Sequence, residues 1–143
     1  MANLNEVRLP AVSEREPTIL IVEDDVLIRM AASDYLQGCG FKVLEASTAV
    51  EAISMIESAE FPIDVVFSDV RMPGNMDGFG LAQWLREHRP GIPILLTSGD
   101  VGMARTAEGL CEKNKVLSKP YDFQIALARI RALISGAAKP STK

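Results

Sequence analysis

Three short apolar runs in this chain end on charged side chains. Ile19-Leu20-Ile21-Val22 runs into Glu23-Asp24-Asp25, Val65-Val66-Phe67-Ser68 into Asp69, and Val116-Leu117-Ser118 into Lys119. A further run ends at Thr97, with the hydroxyl of Ser98 next to it. If these runs are strands of one sheet, the acids Glu23, Asp24 and Asp69 meet one ammonium at a single edge. Carboxylates a few ångströms apart repel and raise one another's pKa, so the group needs a cation. With neither His nor Cys beside them, the donors suit a hard, oxygen-seeking ion; Mg²⁺, which keeps several waters, is the candidate. The three acids carry −3 and a divalent ion with Lys119 carries +3, so the site is neutral before a phosphoryl group arrives. A carboxylate attacking phosphorus forms an acyl phosphate. That transfer asks mainly for alignment and neutralised charge, and these residues offer both.

The elements that must position them are legible as a β-then-α alternation. Strands are predicted at Thr18–Val22, Phe41–Glu45, Asp64–Ser68, Ile92–Thr97 and Lys115–Ser118. Most are continuous apolar runs, as parallel strands covered on both faces require. Leu27, Ile28, Ala31, Ala32, Tyr35 and Leu36 recur at helical spacing until Gly38 and Gly40, with Asp25 as the cap. Ala49, Ala52, Ile53 and Ile56 mark a second helix, capped by Ser47 or Thr48 with Glu51 at capping-box distance. A third runs from Phe79 to Pro90, a fourth spans Val101 to Glu112, and a fifth spans Asp122 to Ile134. Gly102 and Gly109 weaken the fourth by about 1 kcal/mol each. Five such units with short connections imply right-handed crossovers and an α/β, doubly wound parallel sheet. Ligands of such sheets bind beyond the carboxyl ends of the strands, where the charged residues fall.

The 143 residues, 48% of them hydrophobic, make one domain over 18–135, with a flexible arm at 1–17 and a flexible tail at 136–143. A net charge of −4 argues against direct nucleic-acid binding. Cys39 and Cys111 match no metal spacing and read as reduced thiols. Neither a signal peptide nor a membrane-inserting segment is visible, which suits a cytoplasmic protein.

Four motifs carry a resemblance that extends from Thr18 to Ile134. They are Ile-Val-Glu-Asp-Asp (21–25), Ser-Asp-Val-Arg-Met-Pro-Gly (68–74) with Met-Asp-Gly (76–78), Pro-Ile-Leu-Leu-Thr-Ser-Gly (93–99) and Ser-Lys-Pro-Tyr (118–121). The chain resembles a response-regulator receiver domain of bacterial two-component signalling, of the stand-alone, chemotaxis-regulator-like kind. The resemblance implies a flavodoxin-like (βα)5 fold with strand order 2-1-3-4-5. It implies that Asp69 accepts phosphate from a sensor histidine kinase or a histidine phosphotransfer protein. It further implies that Asp24 binds Mg²⁺ directly, Glu23 largely through water, and the backbone carbonyl of Arg71 as another ligand. Ser98 matches the hydroxyl that swings in to the phosphoryl group, Lys119 the lysine that pairs with it, and Lys119-Pro120 a cis peptide. The output face is expected on the fourth helix, fifth strand and fifth helix, where Ala128, Arg129 and Ala132 would meet a downstream protein.

The sequence also departs from the common receiver pattern. Val116 stands where receivers usually carry a switching aromatic, so Tyr121 is the aromatic near enough to substitute. Pro73-Gly74-Asn75-Met76-Asp77-Gly78 carries one residue more than the common form. Arg71 and Asp100, each two residues past a site residue, are placed to flank the path of an attacking water, and a bridge between them would lengthen the life of the acyl phosphate. The chain ends soon after the fifth helix, which favours signalling by protein contact or phosphorelay. The alternative is an Mg²⁺-dependent phosphatase-like enzyme with an aspartate nucleophile. Such an enzyme would want a second acid two residues after Asp69, where Arg71 stands.

Overall fold

A computed structural model describes residues 15–60, 62–99 and 116–138. The elements are β1 (Thr18–Val22), α1 (Val26–Gly38), β2 (Lys42–Ala46), α2 (Ala49–Ser58), β3 (Val65–Asp69), α3 (Gly78–His88), β4 (Ile94–Ser98), β5 (Val116–Ser118) and a C-terminal helix (Phe123–Ala138). All neighbouring strands pair in parallel, in the order β2-β1-β3-β4-β5. This is the flavodoxin-like, doubly wound arrangement, whose first reversal of strand order lies at β1 and β3.

Every residue of β1 is buried. Ile19 and Ile21 face α1 and the C-terminal helix, together with Val65, Phe67, Leu95 and Leu117. Leu20 and Val22 face α2 and α3, together with Val66, Ile94 and Leu96. A strand with two covered faces has no polar side, which is why the runs do not alternate. Each fully buried Leu, Ile or Val contributes about 1.5–3 kcal/mol.

The helices start where their caps place them. The Asp25 carboxylate accepts from the Ile28 amide at 3.1 Å, Thr48 from Glu51 at 3.0 Å and Asp77 from Gly80 at 2.9 Å. Glu51 reaches back past the Thr48 cap and accepts from the amide and hydroxyl of Ser47, and these bonds lower its pKa.

Element ends differ from the predicted ones by a residue or two, except that the C-terminal helix runs past Ile134 to Ala138, into the predicted tail. Arg15, in the predicted arm, makes a bidentate pair with Asp64 at 2.9 and 3.0 Å. The predicted fourth helix, Asp100 and Cys111 lie outside the described residues. On α1 the core covers only part of the helix. Only Ala32, Ser33 and Leu36 are buried there, whereas Leu27 is 77% and Met30 53% exposed. The first turns of α1 lie beyond the strand ends, so the apolar stripe outruns the core that could cover it. Among the described residues, no helix is long and apolar enough to cross a membrane.

Candidate functional site

The carboxyl ends of β1, β3 and β5 bring the predicted charges together. Carboxylate oxygens of Glu23, Asp24 and Asp69 lie within 4.8 Å of one another. Glu23 is buried, Asp69 intermediate and Asp24 exposed, so the group opens to solvent on one side. The Lys119 ammonium donates to Asp69 Oδ2 at 3.1 Å and to Glu23 Oε1 at 3.4 Å. The Lys119 amide also donates to the Ser98 carbonyl at 2.8 Å, tying the end of β4 to the same cluster. Ser98 itself is buried at the last position of β4. The Lys119–Pro120 peptide is cis, as expected.

Burial raises the pKa of Glu23, and the charge of Asp69 adds to it. The Asp25 amide, at 3.2 Å from Glu23 Oε2, and Lys119 pull the other way without cancelling the rise. For Lys119, burial acts downward, but the charges and hydrogen bonds of Asp69 and Glu23 outweigh it and leave the ammonium above its usual value. Lys119 is therefore charged at neutral pH, and its stabilising effect is complete below pH 10.5 and lost as pH rises through the folded value.

Three carboxylates with no nitrogen or sulfur ligand among them fit a hard cation such as Mg²⁺. A proton and a cation held by these acids would compete for Glu23. We expect Mg²⁺ affinity to begin falling at a pH above 4.5, earlier than for an ordinary glutamate. Isothermal titration between pH 7 and 5 would read this, and Glu23→Gln should flatten the profile; a parent profile equally flat would refute it.

Replacing the amine has a predictable sign too. Lys119→Met leaves the acids uncompensated, so the metal-free protein should lose about 1–2 kcal/mol at pH 7, less than a fully buried pair would because Lys119 is 23% exposed. The raised pKa of Glu23 means that its burial penalty is full above that pKa, shrinks as pH falls through it, and is gone by pH 4.5. The deficit should therefore shrink in acid, while Mg²⁺ binds several-fold more tightly at pH 7. Thermal melts and titrations check both; weaker Mg²⁺ binding in the variant would contradict the charge balance.

A cleft beside the cluster is lined by Glu23, Arg29, Phe67, Asp69, Thr97 and Tyr121. Tyr121 meets Phe67 and Phe123 edge-on, with ring centroids 5.8 Å apart in each case, and Phe123 stacks on Tyr35 of α1 at 4.9 Å. Burial, then the nearby Glu23 and Asp69 charges, push the Tyr121 phenol up to about 12, so it stays protonated. Val116 is buried against Phe79 of α3, which fills the space beside the aliphatic residue. The extra residue after Asp69 is accommodated by Gly74, whose φ of +102° suits glycine. The turn is then drawn back by the Gly78 amide, which donates to the Val70 carbonyl at 2.7 Å.

Arg71 is exposed next to the site, and the proposed Arg71–Asp100 bridge falls on a residue outside the described ones. On the expected output face, Ala128 is exposed, and the half-buried Arg129 donates to the Val116 carbonyl. Thr97 and Arg29 were not among the predicted site residues. Thr97 pairs in register with Asp69, which only the folded sheet discloses. Arg29 lies one helical turn after Asp25, a spacing that pointed to the same helix end.

Comparison with known proteins adds an independent line. The profile of the family described as response regulator receiver domain matches residues 19–131. The chain is 42% identical over 82 residues to the sensor kinase CckA of Brucella abortus, covering 57% of this chain and 9% of that protein. It is 32% identical over 123 residues to the transcriptional regulatory protein GltR of Pseudomonas aeruginosa, covering 84% of this chain and 50% of that one. The chain thus spans about half or less of the curated relatives it matches. The crystal structure of a response regulator receiver protein from Sinorhizobium medicae superposes with a TM-score of 0.75 at 27% identity, covering 85% of this chain and 97% of that one.

Proposed function

This chain belongs to the response regulator receiver domain family, and from that premise we propose that Asp69 takes a phosphoryl group from phosphohistidine in an Mg²⁺-dependent reaction. The donor is a sensor histidine kinase or a histidine phosphotransfer protein. The observation that carries this reading is the convergence of three acids within 4.8 Å, with the Lys119 ammonium on two of them.

Glu23, Asp24 and Asp69, with the carbonyl of Arg71, would hold the ion, which supplies charge neutralisation at the phosphoryl oxygens. The residues of the chain do the rest. Lys119 holds the Asp69 carboxylate in place and stays charged to meet the incoming oxygens. The nucleophilic Asp69 oxygen forms the new bond to phosphorus as the bond to the donor imidazole breaks, and the imidazole leaves with the electron pair. Ser98, at the end of β4 and tied to Lys119 through its carbonyl, is the hydroxyl that contacts the phosphoryl group.

With Val116 beside Phe79, the coupling to the surface falls to Tyr121. Its ring borders both the acidic cleft and an outer apolar groove with Ile28, Ala31, Pro120 and Phe123. Signalling proceeds by protein contact or phosphorelay, and the chain assists its own phosphorylation without being a conventional turnover enzyme.

Incubation with acetyl phosphate and Mg²⁺, followed by intact-protein mass spectrometry, tests the proposal. One base-labile phosphoryl group per chain, lost when the ion is chelated beforehand, is the expected result. Steady release of phosphate without a modified species would instead mark an aspartate-nucleophile phosphatase.

A further inference from the structure

Arg29 stands on the second turn of α1, one turn beyond the cap, and it makes two directed contacts. Its Nη1 donates to the backbone carbonyl of Glu23 at 2.8 Å, and its Nε donates to Glu45 Oε1 on β2 at 3.0 Å. The Glu23 amide donates to the Ala46 carbonyl of the same strand at 3.0 Å. The peptide groups on both sides of Glu23 are therefore tied to β2, one directly and one through the guanidinium.

A surface ion pair has little positional value, but this side chain is only 18% exposed and its planar fork spans both acceptors. It also lines the cleft with Glu23 and Asp69. Arg29 touches no acid of the cluster in these contacts; it holds the backbone from which Glu23 and Asp24 project.

We infer that Arg29, anchored by Glu45, is a positioning residue for the cation: it fixes the turn after β1 so that Glu23 and Asp24 present their oxygens together with Asp69. The inference rests on the proposed Mg²⁺ site. Its consequence has a sign opposite to the simplest electrostatics. Taking a positive charge away from beside three carboxylates should, by Coulomb's law alone, tighten cation binding. Loss of positioning loosens it, because the ion must then order the turn itself. Partners that orient metal ligands without touching the metal are typically worth 10–100-fold in affinity.

The test is isothermal titration of Mg²⁺ into the full chain at pH 7, with thermal melts as a check on folding. Arg29→Gln is expected to bind about tenfold more weakly than the parent. Arg29→Lys keeps the charge but cannot reach both acceptors with one fork, and should fall between. Glu45→Ala releases the anchor and should weaken binding in the parent background but add little to Arg29→Gln. Unchanged or tighter binding in Arg29→Gln overturns the inference. If that variant does not fold, parent-like affinity in both Arg29→Lys and Glu45→Ala overturns it. Asp24→Asn separates the two levels: a parent that binds no Mg²⁺, or binds it equally well without Asp24, brings down the ion site and this inference with it.

Discussion

Asp69→Asn is expected to abolish phosphate uptake from acetyl phosphate altogether while leaving the fold intact. An amide has no carboxylate oxygen to attack phosphorus, so no residual rate is expected at that position. The substitution keeps size and shape, and the remaining amide oxygen can still accept from Lys119, which sits 3.1 Å from Asp69 Oδ2. Core packing is untouched, because the buried residues of β3 are Val65, Val66, Phe67 and Ser68. One further effect distinguishes a missing nucleophile from a damaged site. The charge of Asp69 is among the causes that raise the pKa of Glu23, so that pKa should fall in the variant, as carboxyl NMR would show. A phosphoryl group still appearing on the intact variant, by mass, would move the acceptor to another residue.

Gly78→Ala should do comparable damage from a position that carries no chemistry. A Cβ at residue 78 would lie 2.4 Å from the carbonyl oxygen of Asp69 and 2.7 Å from the Cα of Val70. Both atoms are backbone, so no rotamer relieves the contact and the end of β3 or the start of α3 must move. Such overpacking costs about 3 kcal/mol, a fall in melting temperature of roughly 10 °C for a domain of this size. The hydrogen bond from the Gly78 amide to Val70 would be strained by the same shift. Since Asp69 moves with its carbonyl, the rate of phosphate uptake should drop by about 100-fold, the usual consequence of misplacing a reacting group by an ångström. Gly38→Ala is the matched comparison, because a Cβ there meets nothing within 4 Å. Its melting temperature and labelling rate should stay close to those of the parent. Equal behaviour of the two variants would show that the contact at residue 78 relaxes harmlessly.

Much of the architecture was legible in the chain because its causes are local. Short continuous apolar runs such as Ile19 to Val22 suit strands covered on both sides, and the caps at Asp25 and Thr48 act within one helical turn. Charged residues following those runs had to fall at one sheet edge, so Glu23, Asp24, Asp69 and Lys119 were identifiable as a group. What the pattern could not disclose was which side chains answer one another. Hydrophobic periodicity reports whether a residue faces a core, and carries no information on which distant residue lies opposite.

For that reason the apolar spacing of α1 marks a helix without saying how much of its stripe is covered, and the structure leaves Leu27 77% exposed beyond the strand ends. The hydrogen bond from Arg129 to the Val116 carbonyl likewise joins residues that no local pattern pairs. The contact between Gly78 and the Asp69 backbone exists only once the turn holding Gly74 folds back on β3. Residue types and their order determined the fold class, the acids and the amine, because burial and capping are short-range. Only the tertiary structure set Arg29 against Glu45, Tyr121 against Phe67 and Lys119 against Glu23, because crossover connections bring together residues as many as 96 positions apart.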